Sequence, residues 1–481
     1  MVDFGSRSRL IKSLGAGAWG VLFAIVFFSS SCLWSIIPSV SWHDQQRIFF
    51  ICLCLFLSVL SFFLRLVMFG RQTLLGVFVV LCIGLFSSLY NDGFYWSLNE
   101  WATYGASVIS VIVLSNLFRK EPSQVLLFGV AALVGFVLSV QFAVSYIYSL
   151  VLRLHVMSPG ELVSGFSNIR FYGQFQVMLV PILSALIVRF YGDCRKFSVL
   201  LFLLLVVQWG IVWGLSGRGV ILSLFLTSLL LCILSRQNTA QFKLQISAAG
   251  AGFLLYMFLF VWLPDFIGME VELGSSLRSG LSARELIWSG ALDMAIAHPW
   301  VGVGPMQFSA VWNPVASHPH QVVLQWLAEW GVVATLIAIT VACWGVYQGR
   351  LALLSVKSCS IDGGLWAAIV GALLLAQVDG VFVMPYAQGW LIILIGLAVA
   401  RWTAIVEVPR FYSMGLRFLA LSVILIFGHT LIFEVPNLDV TQEAARGSFG
   451  AGLSRPRFWV QGWIPVSERD PEGATSESWD Y

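Results

Sequence analysis

The apolar positions of this chain come in blocks of 17 or more residues, each long enough to cross a hydrocarbon core of about 30 Å. Thirteen such blocks can be read, at 17–37, 48–64, 73–90, 101–118, 124–148, 171–188, 198–215, 219–235, 245–264, 325–347, 365–385, 387–406 and 415–433. The pattern predicts an all-α polytopic membrane protein with about 12–13 transmembrane helices. No signal-peptide cleavage site follows the first block, which therefore reads as a retained span.

Basic residues orient the blocks. Arg7, Arg9 and Lys12 place the N-terminus in the cytoplasm, and alternation then assigns every other connection. On that assignment 17 of the 27 Lys and Arg residues lie inside, nearly all in short loops. Residues 434–481 become a tail on the outer face. Two outside segments are longer than the rest, 149–170 and Asp265 to Gln321. The second is rich in Trp, Gly, Pro and His and has no long polar tract, so it reads as ordered and functional.

Composition narrows the class. Hydrophobic residues make up 59% of the 481 and charged residues 11%, against about 25% charged in soluble proteins. The net charge of +3 gives no case for nucleic-acid binding, which needs a clustered basic face. All eight cysteines fall in spans or inside loops, so no disulfide is expected outside.

The unusual polar residues gather at the outer face. In the large loop, Ser282-Ala-Arg-Glu285 is a capping box followed by an apolar stripe of Ile287, Trp288, Ala291, Met294 and Ala295. This predicts a helix that ends near His298-Pro299 and lies on the membrane with its apolar face down. Gly302, Gly304 and Pro305 predict a turn. Ser317-His-Pro-His-Gln321 then places His318, His320 and Gln321 at the mouth of a span, with Glu329 about two turns inside. A carboxylate at that depth is costly unless paired or in a wet cavity, so it has either a functional or a structural partner. Arg218, in the tight connection Ser216-Gly-Arg-Gly219, is either a snorkelling surface arginine or a functional one at the outer interface. Arg284 alone would be a solvated helix charge, and Arg170 an interfacial anchor. Asp379, in Val378-Asp-Gly-Val-Phe-Val-Met-Pro-Tyr386, lies near the outer end of a span, where it could orient a histidine or pair with an arginine. Tyr386 and Gln388 could line the same cavity. A zinc site made by His318, His320 and His298 lacks a cysteine or a placed carboxylate to complete it.

These motifs have an order. Ser216-Gly-Arg-Gly219, Ser282-Ala-Arg-Glu-Leu-Ile-Trp288, His298-Pro-Trp-Val-Gly-Val-Gly304 with Phe308, His318-Pro-His-Gln321, and Leu324-Gln with Glu329 and Gly331 follow one another across about 170–400. The set resembles the O-antigen ligase superfamily, which includes O-antigen ligases, O-antigen polymerases and pilin O-oligosaccharyltransferases. The resemblance implies a GT-C-like fold with short helices in a large periplasmic loop. It divides the chain into N-terminal transmembrane helices (1–148), a ligase-like core (149–433) with periplasmic loop 265–321, and a periplasmic tail (434–481).

It also implies a metal-independent transferase of the bacterial inner membrane that uses no cofactor. Such an enzyme moves a glycan from undecaprenyl diphosphate to an acceptor hydroxyl on the periplasmic face. The family's essential arginines map onto Arg218 and Arg284, with Arg170 a third candidate for the diphosphate, and its essential histidine onto the His318/His320 pair. The family more often has His-Asn where this chain has His320-Gln321. The residue types suit the chemistry. Arginine offers a permanently charged fork of donors to phosphate oxygens, and a neutral histidine is the usual base for a hydroxyl. His320 is the expected base and His318 the second choice, with Gln321, Glu329, Asp379 and Tyr386 in support.

The acceptor is left open among pilin Ser/Thr, lipid A–core and a growing polysaccharide, the last being polymerase activity. Glu329-Trp-Gly331, the Asp379–Tyr386 stretch and the outside tail favour a pilin-type enzyme. Arg455-Pro-Arg-Phe-Trp459 in the tail is either an acceptor dock or a packing flap. A transporter or flippase would show repeats and charges at the midplane, and the charges here lie at one face.

Overall fold

A computed structural model of the chain describes residues 15–438, apart from 39, 65–66, 69, 92, 153–155, 273–283, 312, 314 and 405, together with 457–459. The protein is 78% helical with almost no strand, an all-α polytopic membrane protein. A helix stands at each predicted span. They are α1 (Ala16–Ser29), α2 (Trp42–Ser61), α3 (Arg71–Ser88), α4 (Phe94–Leu117), α5 (Glu121–Val151), α6 (Ile169–Phe190), α7 (Arg195–Gly214) and α8 (Arg218–Leu234). Helix α9 (Thr239–Met257) runs through a π turn into a short α10 (Leu263–Ile267). After the loop helix α11 (Arg284–Ala297) come α12 (Val322–Leu354), α13 (Ser360–Leu375), α14 (Pro385–Trp402) and α15 (Arg410–His429). Among the described residues, eight helical segments are long and apolar enough to cross a membrane, and three further apolar helices are shorter.

Helix α6 is the axis of the bundle. In its apolar window 94% of residues are buried, against 22% for the segment containing α9. It packs most extensively on α13. Small residues allow the approach. A Cβ at Gly364 or Gly371 of α13 would sit 2.4 Å from the Ala185 side chain or 2.8 Å from the Val177 side chain.

Polar side chains cross-link the same region. Gln208 of α7 accepts from Tyr172 (2.9 Å) and from the Gln176 amide (3.1 Å), and donates to the Gly135 carbonyl of α5 (3.0 Å). Gln245 of α9 accepts from Trp209 (3.0 Å) and donates to the Val180 carbonyl (3.0 Å), beside Pro181 in α6. In a hydrocarbon setting such bonds are worth about 1 kcal/mol each and fix helix rotation as well as proximity. At the other end of the bundle, Arg401 of α14 pairs with Asp362 of α13 (Nη2–Oδ2 2.8 Å) and donates to Gln124 of α5 (3.0 Å).

The long connections are ordered by short pairings. Val156–Met157 runs parallel to Glu270–Val271, which ties the 149–170 segment to the start of the large loop. All eight cysteines are free thiols.

Helix α12 departs from a continuous span. Gly331 has φ 78° and ψ 173°, so the helix breaks there and resumes on a new axis. The break is filled by the His298–Gly304 motif. Val303 N–H donates to the Ala328 carbonyl (2.9 Å), Gly304 N–H to the Glu329 carbonyl (3.0 Å), and Val332 N–H to the Pro299 carbonyl (2.8 Å). The motif thus supplies the partners that the unwound turn would otherwise lack. Gly302 (φ 69°) and Gly331 face each other across this joint. A Cβ would meet the Glu329 carbonyl carbon at 2.3 Å from the first and the Trp300 oxygen at 2.4 Å from the second.

Candidate active site

The loop helix α11 ends at Ala297, one residue before His298-Pro299, as the proline requires. Its Ser282 cap lies outside the described residues. Its apolar face is turned to protein rather than outward. Ile287 and Ala291 are buried with Phe308 and with Ala328 of α12, and Trp288 Nε1 donates to the Pro319 carbonyl (3.0 Å). The stripe that reads as a membrane-surface face is therefore the seat of α11 on α12. This seating holds Arg284, the first residue of α11, over the end of α13, where its Nη2 donates to the Val378 carbonyl (2.9 Å).

Arg170, Arg218 and Arg284 lie in the first turns of α6, α8 and α11. The fields of Arg170 and Arg218 both reach Arg284. Burial depresses the Arg284 guanidinium below the ordinary arginine value, Arg170 and Arg218 press it further, and Asp379 opposes them. Arg170 and Arg218 are exposed and Arg284 is half-buried. A helix N-terminus carries a partial positive charge, so cations there are unfavourable and anions favourable.

The histidines lie beside this cationic face. His320 has a left-handed backbone (φ 53°), and its Nδ1 is 3.8 Å from Asp379 Oδ1, with the side chains 19% and 12% exposed. His318 is 2% exposed. Its Nδ1 accepts from the His320 N–H (3.3 Å), so the neutral ring carries its proton on Nε2. Burial lowers its basicity well below that of ordinary histidine, and the charges of His320, Arg457 and His43 lower it further. The ring occupies space that a side chain at residue 380 would need, since a Cβ on Gly380 would lie 2.5 Å from its Cε1. His318 is thus a buried support for His320, and His320 is the histidine that remains accessible.

Gln321 caps α12. Its side chain accepts from the Leu324 N–H and donates to Gln377 (3.1 Å). Glu329 is fully buried and has a structural partner, described below. Tyr386 is packed among Phe28, Phe166 and Phe175 and donates to the Ser29 carbonyl (3.1 Å). Gln388 accepts from Arg47 (3.2 Å). These last two stand in the helix core rather than on the arginine face. His298 is exposed and lines a separate cleft of about 370 Å³ with Asp293, Val303 and Gln307. Among the described residues no three His, Cys, Asp or Glu side chains are grouped to share a metal ion.

The N-terminal spans contribute more than the motifs suggest. The start of α2, His43-Asp-Gln-Gln-Arg47, is entirely buried. Gln45 bridges to the Ser31 carbonyl (2.6 Å) and Gln46 to the Gly165 carbonyl (2.8 Å). Arg47 donates to the Val383 carbonyl (2.7 Å), in the loop that follows Asp379. The turn after Gly304 is held by α4, where Ser97 donates to the Pro305 carbonyl (2.8 Å) and accepts from Gln307 (2.8 Å). Five consecutive polar residues opening a span are costly in lipid, and that cost was the available signal that this end of α2 is enclosed by protein.

The tail also turns inward. Arg457, Phe458 and Trp459 are buried. Arg457 makes a two-pronged contact with Glu329 (2.6 and 2.7 Å) and reaches Glu100 of α4 (2.8 Å). Trp459 donates to Glu434 (2.7 Å). Residues 457–459 are therefore packed into the bundle rather than exposed to an acceptor; 455 and 456 lie outside the described residues.

No curated protein matches the chain. Residues 199–339, which carry Arg218, Arg284, His318, His320 and Glu329, match the family model described as O-antigen ligase, a likeness that supports the ligase, polymerase and O-oligosaccharyltransferase superfamily.

Proposed function

We propose that the protein is an inner-membrane transferase that moves an oligosaccharide from undecaprenyl diphosphate to an acceptor hydroxyl at the periplasmic face, with pilin Ser/Thr or lipid A–core as acceptor. The observation that carries this reading is the gathering of Arg170, Arg218 and Arg284 in the first turns of three helices, beside the His320–Asp379 pair. Three cations at positive helix ends oppose both the dipoles and one another. A diphosphate relieves both conflicts, and it is the leaving group of this reaction.

In the proposed mechanism the acceptor hydroxyl oxygen attacks the anomeric carbon of the glycan. Its proton passes to His320 as the glycosidic bond to the diphosphate breaks. Asp379 steadies the imidazolium that forms, and the arginines take up the charge growing on the departing diphosphate. The cationic role is filled by guanidinium groups, so the reaction is written without a metal. The 3.8 Å between His320 and Asp379 is longer than a hydrogen bond, as is common before substrate draws a catalytic pair together.

The test is to delete the gene and restore it as wild type or as His320→Ala, following the lipid-linked glycan into lipopolysaccharide and protein. Loss of glycan from pilin alone, unrestored by His320→Ala, establishes a pilin transferase. Collapse of the lipopolysaccharide ladder to bare core makes it a ligase, and single repeats in place of long chains a polymerase. No change in either pool defeats the transferase reading in favour of transport.

A further inference from the structure

We propose that Arg457, inserted from the tail, is a positioning residue for the transfer reaction, a strap that holds both walls of the site in register. The inference rests on the transferase reading above.

Two paths lead from residues 457–459 to the site. The first runs through Glu329, whose carboxylate is 0% exposed. Its Oε1 accepts from Arg457 (2.6 Å) and also from the Phe308 N–H (3.1 Å). Its backbone carbonyl accepts from the Gly304 N–H (3.0 Å). Glu329 therefore fastens the 304–308 turn to α12 next to the Gly331 break. Phe308 in turn packs on Ile287 and Ala291, which seat α11 and its first residue, Arg284.

The second path runs through Arg47. Its Nε donates to the Phe458 carbonyl (2.9 Å) and its guanidinium lies 4.8 Å from the Phe458 ring centre. Its Nη2 holds the Val383 carbonyl (2.7 Å), four residues after Asp379. One tripeptide thus reaches the arginine wall through α11 and the histidine wall through the 379–384 loop.

Arg457 is 0% exposed and answers two carboxylates, Glu329 and Glu100, on two different helices. A forked guanidinium fixes the angle between its partners as well as their distance, which an ammonium does not. Shifts of about 1 Å in a catalytic group cost on the order of 100-fold in rate. A strap that only glued helices together would be replaceable by apolar packing; a strap that sets geometry would not.

The experiment uses full-length protein in nanodiscs, a synthetic polyprenyl-diphosphate glycan and the acceptor that the deletion experiment identifies. Wild type is compared with Arg457→Lys and with the double variant Arg457→Met/Glu329→Leu, which fills the space without charge. Thermal unfolding is recorded for each. The expected result is a kcat roughly tenfold lower for Arg457→Lys, with donor KM within about twofold, at a temperature well below the unfolding midpoint of either protein. The double variant leaves Glu100 without its cation and the Phe308 N–H without its acceptor, so it is expected to be less stable than wild type and, where folded, equally impaired in kcat. If Arg457→Lys does not accumulate, Glu100→Gln, which leaves the Glu329 fork in place, is expected to lower kcat about threefold at constant donor KM. Wild-type kcat in a folded single variant, or in the double variant, overturns the proposal while leaving the transferase reading intact. A wild-type protein that transfers nothing to any acceptor defeats both.

Discussion

Asp379 faces His320 across 3.8 Å, from the loop between α13 and α14 to the mouth of α12, and the two share the flank of the arginine face. The pairing depends on a residue that does neither job. Buried His318 accepts the His320 N–H, which holds the backbone of His320 in its left-handed turn. His320→Ala is expected to lower transfer by about 100-fold or more, the range for loss of a general base. Asp379→Asn, which keeps the shape and removes the charge, is expected to lose about tenfold or more by the same logic. Initial rates with a synthetic lipid-diphosphate donor check both. A His320→Ala enzyme at wild-type rate would remove this histidine from the mechanism.

Arginine-to-lysine changes on the cationic face should not be conservative. Arg284→Lys keeps one charge but cannot present the fork that matches phosphate oxygens. Transfer is expected to fall by about tenfold or more, with the loss larger for Arg218→Lys combined with Arg284→Lys than for either alone. Binding of inorganic pyrophosphate or a short-chain polyprenyl diphosphate, followed by calorimetry, should weaken in parallel. Unchanged binding in the double variant would place the diphosphate elsewhere.

The joint between the His298–Gly304 motif and α12 makes a stability prediction. Gly331→Ala would put a Cβ 2.4 Å from the Trp300 oxygen at φ 78°, and Gly302→Ala would crowd Glu329 at φ 69°. Each combines overpacking against backbone with an unfavourable dihedral, an expected cost of about 2–4 kcal/mol. Gly290→Ala on α11, where a Cβ meets nothing within 4 Å, is the control and should be neutral or slightly stabilising. Unfolding midpoints of purified protein separate the three.

His318 gives a pH dependence with a definite sign. In the folded protein its basicity is well below the ordinary value, because of burial first and then the neighbouring charges. The unfolded chain binds a proton near pH 6.5 that the native state refuses. Stability from this group is therefore complete above about pH 6.5 and is lost as pH falls below it, by up to about 1.4 kcal/mol per unit. Wild type should lose more stability between pH 7.5 and 5.5 than His318→Asn does, and equal losses would contradict the buried neutral assignment.

The sequence by itself determined the helices and the short list of candidate site residues. Spans are legible because hydrocarbon admits only backbone that satisfies itself, and that requirement writes long apolar blocks into the chain. The end of α11 was legible from His298-Pro299, and the turn from Gly302 and Gly304, because these are local backbone constraints. Arg218 stood out because charge at a membrane face needs a reason, whereas Arg284, His318 and His320 were singled out by the resemblance to the ligase superfamily.

Tertiary structure decided how those residues are placed. Burial separated His318 from His320, two residues apart with the same side chain, and no local pattern encodes burial. The apolar face of α11 met protein, since a hydrophobic stripe says only that something covers it. Glu329 found its partner 128 residues away in the tail, and Arg47 found Phe458 at a separation of 411. Such pairings are set by where helices stop and which faces they turn inward, quantities that a one-dimensional pattern does not contain.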